Sequence, residues 1–370
     1  MWSRWLKRSG LALAIVCLVG CATVGERSKG PTDTPDHHYA AGQIFLGQEK
    51  YNSALAEFER AEALHPNYAP AFEGLALAQL GLRNLSRAEE AADTAKEIDS
   101  AYAPGYVASG RVQAAKGNLR EAIRDFTHAL DINPRYVQAY YYRGKTLMRC
   151  LDFDRAERDF DSALQIQPTH KAARSAWERS MKIRLATPGT HIGKKIVLAD
   201  PITRADLAAL IATELGLERA LRKHRPELFD PGFRRAVGLR STEPDLPRIT
   251  DVESHWAKGF IELVTELSLM EAFPDRTFRP DAMVDRASYA MTIQQVLAIV
   301  DNDQGLRSRF IGSVSPFPDV RNDHFAYNAI MVATTRGMLE AQTGTGAFNL
   351  TGSMSGADAL LGLRKLAELF

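Results

Sequence analysis

Between residues 36 and 185 the small and apolar positions recur every 34 residues. Three positions of the period carry small residues, a fourth carries an aromatic residue in three units of four, and a proline closes three units of four. The equivalent sets are Gly42, Ala76, Gly110 and Gly144; Ala54, Ala88, Ala122 and Ala156; Ala61, Ala95, Ala129 and Ala163; Phe58, Ala92, Phe126 and Phe160; and Pro66, Ser100, Pro134 and Pro168. Small residues let two helices approach closely, and proline ends a helix because it lacks an amide donor. The pattern therefore predicts four antiparallel helix pairs.

This period and order of residues resemble the tetratricopeptide repeat. The resemblance covers four repeats, and the helical residues after Pro168, with Trp177, resemble the capping helix of that family. It implies a curved solenoid over residues 36–185 whose concave face binds a protein or peptide. The positions that contact peptides in the family correspond here to Tyr39, Gln43, Leu77, Arg111, Tyr141 and Lys145. Arg111 and Lys145 are equivalent positions; they are either a basic end of the groove for acidic groups or solvated surface charges.

A different pattern begins at residue 250. Trp256, Phe260, Val264 and Leu267 recur at helical spacing and mark one apolar face. A loop over residues 273–280 (FPDRTFRP) follows, and then a second apolar helix that begins at 284–287 (VDRA) and runs to about Val300. This order resembles the S-layer homology repeat, over residues 250–316. A second, degenerate copy occupies residues 317–370, where Gly356 stands in place of the motif arginine.

Residues 186–249 join the two regions and contain a fragment of the second pattern. Residues 203–206 (TRAD) look like the tail of a third copy whose first half is missing or unrecognisable, and Thr203 with Asp206 predicts an N-terminal capping box. S-layer homology repeats commonly form a pseudo-threefold unit that binds a cell-wall glycan. The resemblance implies that Trp256, Arg286 and Arg204 contact the glycan. The alternative is that Trp256 is a core residue and Arg286 a structural salt-bridge partner.

The first residues predict a targeting segment. Basic residues at 4, 7 and 8 precede a short apolar run over 11–19, which has the length of a signal peptide and is too short to span a bilayer. Residues 18–21 (LVGC) resemble the bacterial lipobox, which implies a signal peptide over 1–20, acylation of Cys21 by a palmitate-type lipid, and a flexible tether over 21–35. Ala22 favours the outer membrane. The alternative is an ordinary signal peptide followed by a chance cysteine.

Composition narrows the classes of function. Lys and Arg total 46 and Asp and Glu total 45, so the chain lacks the basic excess typical of nucleic-acid binding. The sequence contains no phosphate-binding glycine loop, no dinucleotide-binding fingerprint and no H-E-x-x-H metal motif. We therefore expect no enzymatic activity, no cofactor and no metal site.

Together these patterns predict an all-α protein, with a tetratricopeptide-repeat solenoid followed by a mainly helical S-layer-homology-like domain. The function they favour is that of a bacterial envelope lipoprotein, lipid-anchored in the outer membrane and facing the periplasm. Its repeats would hold a protein partner, and its C-terminal domain would hold the cell wall through peptidoglycan or a wall polymer. Two alternatives stay open. One is a pilotin-like assembly factor for a secretion or pilus system whose C-terminal module does not bind, and the other is an envelope enzyme with a site in 186–249.

Overall fold

A computed structural model of the chain describes residues 33–217, residue 221 and residues 249–369. The signal peptide predicted over 1–20, Cys21, most of the tether and most of the second half of the 186–249 join lie outside the described residues. The described part is built of α-helices, one 3₁₀ turn and two isolated β-bridges, so the predicted all-α class is confirmed. It forms two compact units, which meet in sequence between residues 98 and 99.

The first unit contains two of the predicted helix pairs. They are α1 (Pro35–Gly47) with α2 (Tyr51–Leu64), and α3 (Ala69–Gly81) with α4 (Leu85–Ile98). The fully buried ring of Phe58 lies so close to Gly42 and Gly74 that a Cβ atom at either glycine would overlap it. The first and second repeats therefore need small residues on both first helices, because a single aromatic ring fills the space between them.

The second unit begins with the other two pairs and a ninth helix. The elements are α5 (Ala103–Lys116), α6 (Leu119–Ile132), α7 (Val137–Arg149), α8 (Phe153–Ile166) and α9 (Lys171–Ala186). α6 and α8 both end two residues before the prolines predicted to stop them. α4 ends at the equivalent residue, Ile98, although Ser100 replaces the proline there. A proline is therefore not required to end the second helix of the second repeat.

The remaining helices build three related copies of one motif. They are the short α10 (His191–Ile196), α11 (Arg204–Glu214), α12 (Lys258–Glu266), α13 (Arg286–Val300), α14 (Tyr327–Thr335) and α15 (Gly356–Ala367). We call α11 the second helix of copy one, α12 and α13 the helices of copy two, and α14 and α15 those of copy three. The fragment over 203–206 is thus the start of a complete second helix.

Three backbone hydrogen bonds join these copies in a closed circle. The amide of Ile202 donates to the carbonyl of Met354 (2.9 Å), Met354 donates to Val284 (3.0 Å), and Val284 donates to Ile202 (3.0 Å). Each of the three residues is buried and stands two positions before the first residue of its second helix. The predicted pseudo-threefold arrangement is therefore present, and we refer to the three copies as the ring.

One hydrophobic core runs from the last repeat into the ring. It contains Leu147 and Phe160 from α7 and α8, Ile183 from α9, and Tyr289 and Leu363 from the ring. In the part of the chain that the structure describes, no helix combines the length and the apolar character needed to cross a membrane.

Candidate functional site

The motif arginines lie at the junctions between copies of the ring. Arg204 opens α11 behind a complete capping box, in which the Thr203 hydroxyl accepts from the amide of Asp206 and the Asp206 carboxylate accepts from the amide of Thr203. Its guanidinium donates from Nε to the carbonyl of Phe278 (2.9 Å) and from Nη2 to that of Glu271 (2.9 Å). The group also stacks 4.5 Å from the centre of the Phe278 ring.

Arg286 repeats this geometry one copy further on. Its Nε donates to the carbonyl of Phe348 (2.7 Å), its Nη2 donates to that of Glu340 (2.6 Å), and the group lies 4.6 Å from the centre of the Phe348 ring. Burial lowers the pKa of both guanidinium groups, Arg204 and Arg286. Neither Nη1 atom has a hydrogen-bond partner among the described residues. Each arginine therefore connects its own copy to the loop of the next copy through Nε and Nη2, and its Nη1 takes no part in this contact. The expectation of a salt bridge at Arg286 is wrong, because its hydrogen-bond partners are carbonyls.

Two aspartates fix the same loops from the other side, and the sequence reasoning missed their role. Asp251 accepts from the amides of Phe278 (2.8 Å) and Arg279 (2.7 Å), and Asp319 accepts from those of Phe348 (2.7 Å) and Asn349 (2.6 Å). Burial opposes the ionisation of Asp319, but the two amide donors hold its pKa below the usual value. The sequence signal for these positions is that each aspartate is followed by a valine, at 251–252 and at 319–320.

The third junction is built differently. A Cβ atom at Gly356 would overlap the carbonyl oxygen of Ile196, and the Gly356 amide donates to Ala199 (2.8 Å). The backbone that ends α10 therefore occupies the place of the third motif arginine. Arg364 on α15 closes this junction instead, by donating to the carbonyls of Ala186 (3.2 Å) and Thr187 (2.7 Å).

Two aromatic side chains stand exposed at equivalent places on the ring. Trp256 precedes α12 and is 56% exposed, while Phe325 precedes α14 and is 78% exposed. Each follows a histidine whose Nδ1 accepts from the amide two residues later, at 3.1 Å for His255 and 3.2 Å for His324. Trp256 is thus a surface residue, and its alternative interpretation as a core residue is wrong. Sequence reasoning did not single out Phe325, although its position after a histidine matches that of Trp256.

In the first unit, two of the residues assigned to a peptide groove bind a carboxylate of the protein itself. The Tyr39 hydroxyl and the Gln43 amide both donate to buried Glu73, at 3.0 and 3.1 Å. Leu77 is half-buried on the same helix as Glu73. These three residues therefore lie on α1 and α3, and the polar pair already binds Glu73.

In the second unit, Arg111 and Lys145 share the ring of Tyr142. Arg111 lies 4.5 Å from the centre of the Tyr142 ring, and the Lys145 ammonium lies 5.5 Å from Tyr141 and 6.0 Å from Tyr142. Burial and the charge of Arg111 lower the pKa of Lys145, and burial raises that of Tyr141. Neither cation forms an ion pair within the described ranges. The structure thus brings together two like charges that no described carboxylate neutralises. Tyr142 was missed, although it lies in a run of three tyrosines.

The comparisons with known families separate the repeats from the C-terminal region. A model of the tetratricopeptide repeat matches residues 39–104 and 103–171, and a model of the S-layer homology domain matches residues 248–290. The chain carries tetratricopeptide repeats and a C-terminal S-layer homology domain.

Two curated relatives come from Acetivibrio thermocellus. "Cell surface glycoprotein 1" is 32% identical over 85 residues, which cover 23% of this chain and 3% of that protein. "Cellulosome-anchoring protein" is 32% identical over 83 residues, which cover 22% of this chain and 17% of that protein. The chain thus spans less than a fifth of either relative.

Three solved structures show a partial similarity to this chain. YrrB, described as a TPR protein with an unusual peptide-binding site, is 25% identical, with 39% of this chain and 74% of that chain covered and a TM-score of 0.32. TTC0263, a thermophilic TPR protein of Thermus thermophilus, is 23% identical, with 51% and 96% covered and a TM-score of 0.37. PilF of Pseudomonas aeruginosa is 15% identical, with 56% and 97% covered and a TM-score of 0.37.

Proposed function

We propose that this protein is a non-enzymatic lipoprotein of the bacterial envelope that holds a cell-wall glycan with its ring and a protein partner with its repeats. The observation that carries the proposal is the pair of exposed aromatics, Trp256 and Phe325, at equivalent places on a ring whose other described aromatics are buried or half-buried. An exposed aromatic face suits the apolar C–H surface of a sugar. The S-layer homology match and the name of the cellulosome-anchoring relative support an anchoring role in the cell envelope.

The arginines add charge to this surface. Arg286 and Arg204 spend Nε and Nη2 on the loops, so only the uncommitted Nη1 of each is available to an acidic substituent of the glycan. A planar guanidinium suits a carboxylate or a phosphate. We therefore assign the main glycan contact to Trp256, with Arg286 and Arg204 supplying orientation. Gly356 supplies no such group, so the ring offers two grooves.

The repeats offer a basic site that suits an acidic partner. Arg111 and Lys145 are two cations on first helices that no described carboxylate neutralises, and an anion placed between them would relieve their mutual repulsion. Tyr141 adds an aromatic face beside them. Tyr39, Gln43 and Leu77 complete the proposed peptide-facing set on the first two repeats.

The anchor rests on the sequence alone. We propose that the chain is cut before Cys21, that this cysteine is acylated, and that residues 21–35 tether the folded part to the outer membrane on its periplasmic side. Two or three acyl chains give stable anchoring where one is marginal. Growth with a labelled fatty acid tests this, since Cys21→Ala should lose the label.

Sedimentation of the purified full-length chain with peptidoglycan sacculi, with and without attached polymers, tests the glycan site. Trp256→Ala should weaken binding about tenfold, which corresponds to about 1.4 kcal/mol, and Phe325→Ala should weaken it as well. Ile44→Ala, which removes an exposed apolar side chain from α1, is the control and should bind as the wild type does. A wild-type chain that stays in the supernatant would instead favour the alternative, an assembly factor whose ring binds no glycan.

A further inference from the structure

Among the described residues, the ring has three second helices but only two first helices of its own. Copies two and three each run from a first helix through a loop to a second helix, whereas α11 is preceded only by the six-residue α10. The helix that precedes α10 is α9, which the sequence assigns to the repeats. We therefore compare α9 with the first helices of copies two and three.

The way α9 ends matches the first helices of the ring. Each of the three helices stops at or beside a residue in the left-handed region, with φ of 44°, 56° and 70° at Thr187, Ser268 and Gly337. Each of these residues precedes the N-cap of the following second helix by a nearly equal stretch of chain. Those N-caps are Thr203, Asp285 and Ser355.

The buried face of α9 matches as well. Counted back from the left-handed residue, the same two positions are buried in all three helices. They are Ser180 and Ile183 in α9, Ile261 and Val264 in α12, and Ile330 and Ala333 in α14. Three helices of different sequence thus present the same two positions to one core.

Packing completes the correspondence. α11 packs on α12 and α13 packs on α14, so each second helix lies against the first helix of the next copy. In the third junction α15 packs on α9. There Lys182 forms an ion pair with Asp358 (2.8 Å), and Arg364 donates to the carbonyls that end α9. The circle of copies therefore closes through α9.

The same helix caps the repeats. Arg184 of α9 forms an ion pair with Glu157 of α8 (2.9 Å), and Ala173 lies in a buried cluster with Val137 and Ala163. α9 is thus in contact with α8 on one side and with α15 on the other.

We propose that α9 is at once the last helix of the repeats and the missing first helix of the ring, so that the last repeats and the ring unfold as one cooperative unit. Arg111 and Lys145 are then held in one rigid frame with Trp256, without a hinge at α9. A partner bound at Arg111 and Lys145 and a ligand bound at Trp256 would keep a fixed mutual orientation.

Hydrogen exchange of the full-length chain, followed by peptide mass spectrometry in low urea, tests this. Val264→Ala removes buried atoms from α12, which packs on α11. We expect the slowest amides of α8 to exchange about tenfold faster, by the same factor as those of α13, because one unit has one opening free energy. Leu263→Ala changes a neighbouring but exposed residue of the same helix, and it is the matched control, expected to alter exchange less than about twofold.

The converse variant is Phe160→Ala in α8, which should speed exchange in α13. If Val264→Ala does not fold, Ile261→Val makes a milder change in the same helix and should show the same equality at a smaller factor. Faster exchange confined to the ring for the ring variants, or confined to α7–α9 for Phe160→Ala, would overturn the proposal.

Discussion

Arg286 and Arg204 show how one side chain can join two parts of a fold. Each guanidinium sits at the first residue of a helix, donates to two carbonyls of the next copy and lies on the aromatic ring of that copy. A hydrogen bond from a charged group contributes about 1.5–3 kcal/mol. Removing the arginine also takes this donor from a partly buried carbonyl, that of Phe278 or Phe348. These arginines are therefore stabilising residues first, whatever their remaining nitrogen binds.

Arg286→Ala should lower the free energy of unfolding by about 2–4 kcal/mol, since two charged hydrogen bonds and an aromatic contact are lost. Arg286→Lys should recover only part of this, because an ammonium group cannot reproduce the planar fork. Urea unfolding followed by circular dichroism measures both.

Arg321→Ala is the control for that series, because Arg321 pairs with Asp323 on the surface and should contribute less than about 1 kcal/mol. An Arg286→Ala variant with the urea midpoint of the wild type would show that the two carbonyl bonds do not stabilise the ring.

At the scale of elements, Glu214 ties three segments of the ring together. It lies at the end of α11, its side chain is 1% exposed, and it accepts from the amides of Gly189 (3.0 Å) and Thr190 (2.8 Å). Arg364 of α15 forms an ion pair with it. Burial opposes the ionisation of Glu214, but the donors from Thr190 and Gly189, together with Arg364, hold its pKa below the ordinary value of 4.5.

This contact predicts a loss of stability in acid. Because the pKa is lower in the folded state than in the unfolded state, the contribution of Glu214 is present above about pH 4.5 and is lost as the pH falls through the folded value. Glu214→Gln should therefore be less stable than the wild type at pH 7 and closer to it at pH 3.

Urea midpoints at pH 7 and pH 3 give the comparison. Glu368→Gln serves as the control, because Glu368 is an exposed partner of Lys365 and its loss should change little at either pH. A constant difference between Glu214→Gln and the wild type across this range would rule out the ionised contact.

At the scale of the whole molecule, the sequence predicted the helix pairs and the start of α11, the second helix of copy one, but not how the regions connect. The small residues that face Phe126 and Phe160 define a register that only close helix packing explains. The double role of α9 could not be predicted, because Ser180 and Ile183 show the same helical spacing whichever neighbour covers them. The exposure of Phe325 could not be predicted for a related reason, because an apolar residue beside a predicted helix is usually a core residue.

The paired cations predict how the protein selects a partner. Arg111→Gln with Lys145→Gln should weaken binding of a fluorescein-labelled hexaglutamate peptide by at least tenfold, and the binding of the wild type should weaken as salt is raised. Fluorescence anisotropy of the full-length chain measures this. Arg120→Gln with Arg135→Gln removes two exposed cations of the same unit and is the matched control. Equal loss in both double variants would show general charge attraction rather than a site.

The circle of hydrogen bonds among Ile202, Val284 and Met354 limits how the number of copies in the ring can change. Each of these amides and each of these carbonyls is used once, so the circle has no open place for a fourth copy. The repeats follow the opposite rule, because a stack whose last helix is shared with the ring can still add a pair at its N-terminal end. Gain or loss of a 34-residue unit would therefore lengthen or shorten the partner-binding surface, while gain or loss of a copy would break the ring. Variation in length among proteins of this architecture should be confined to the stack.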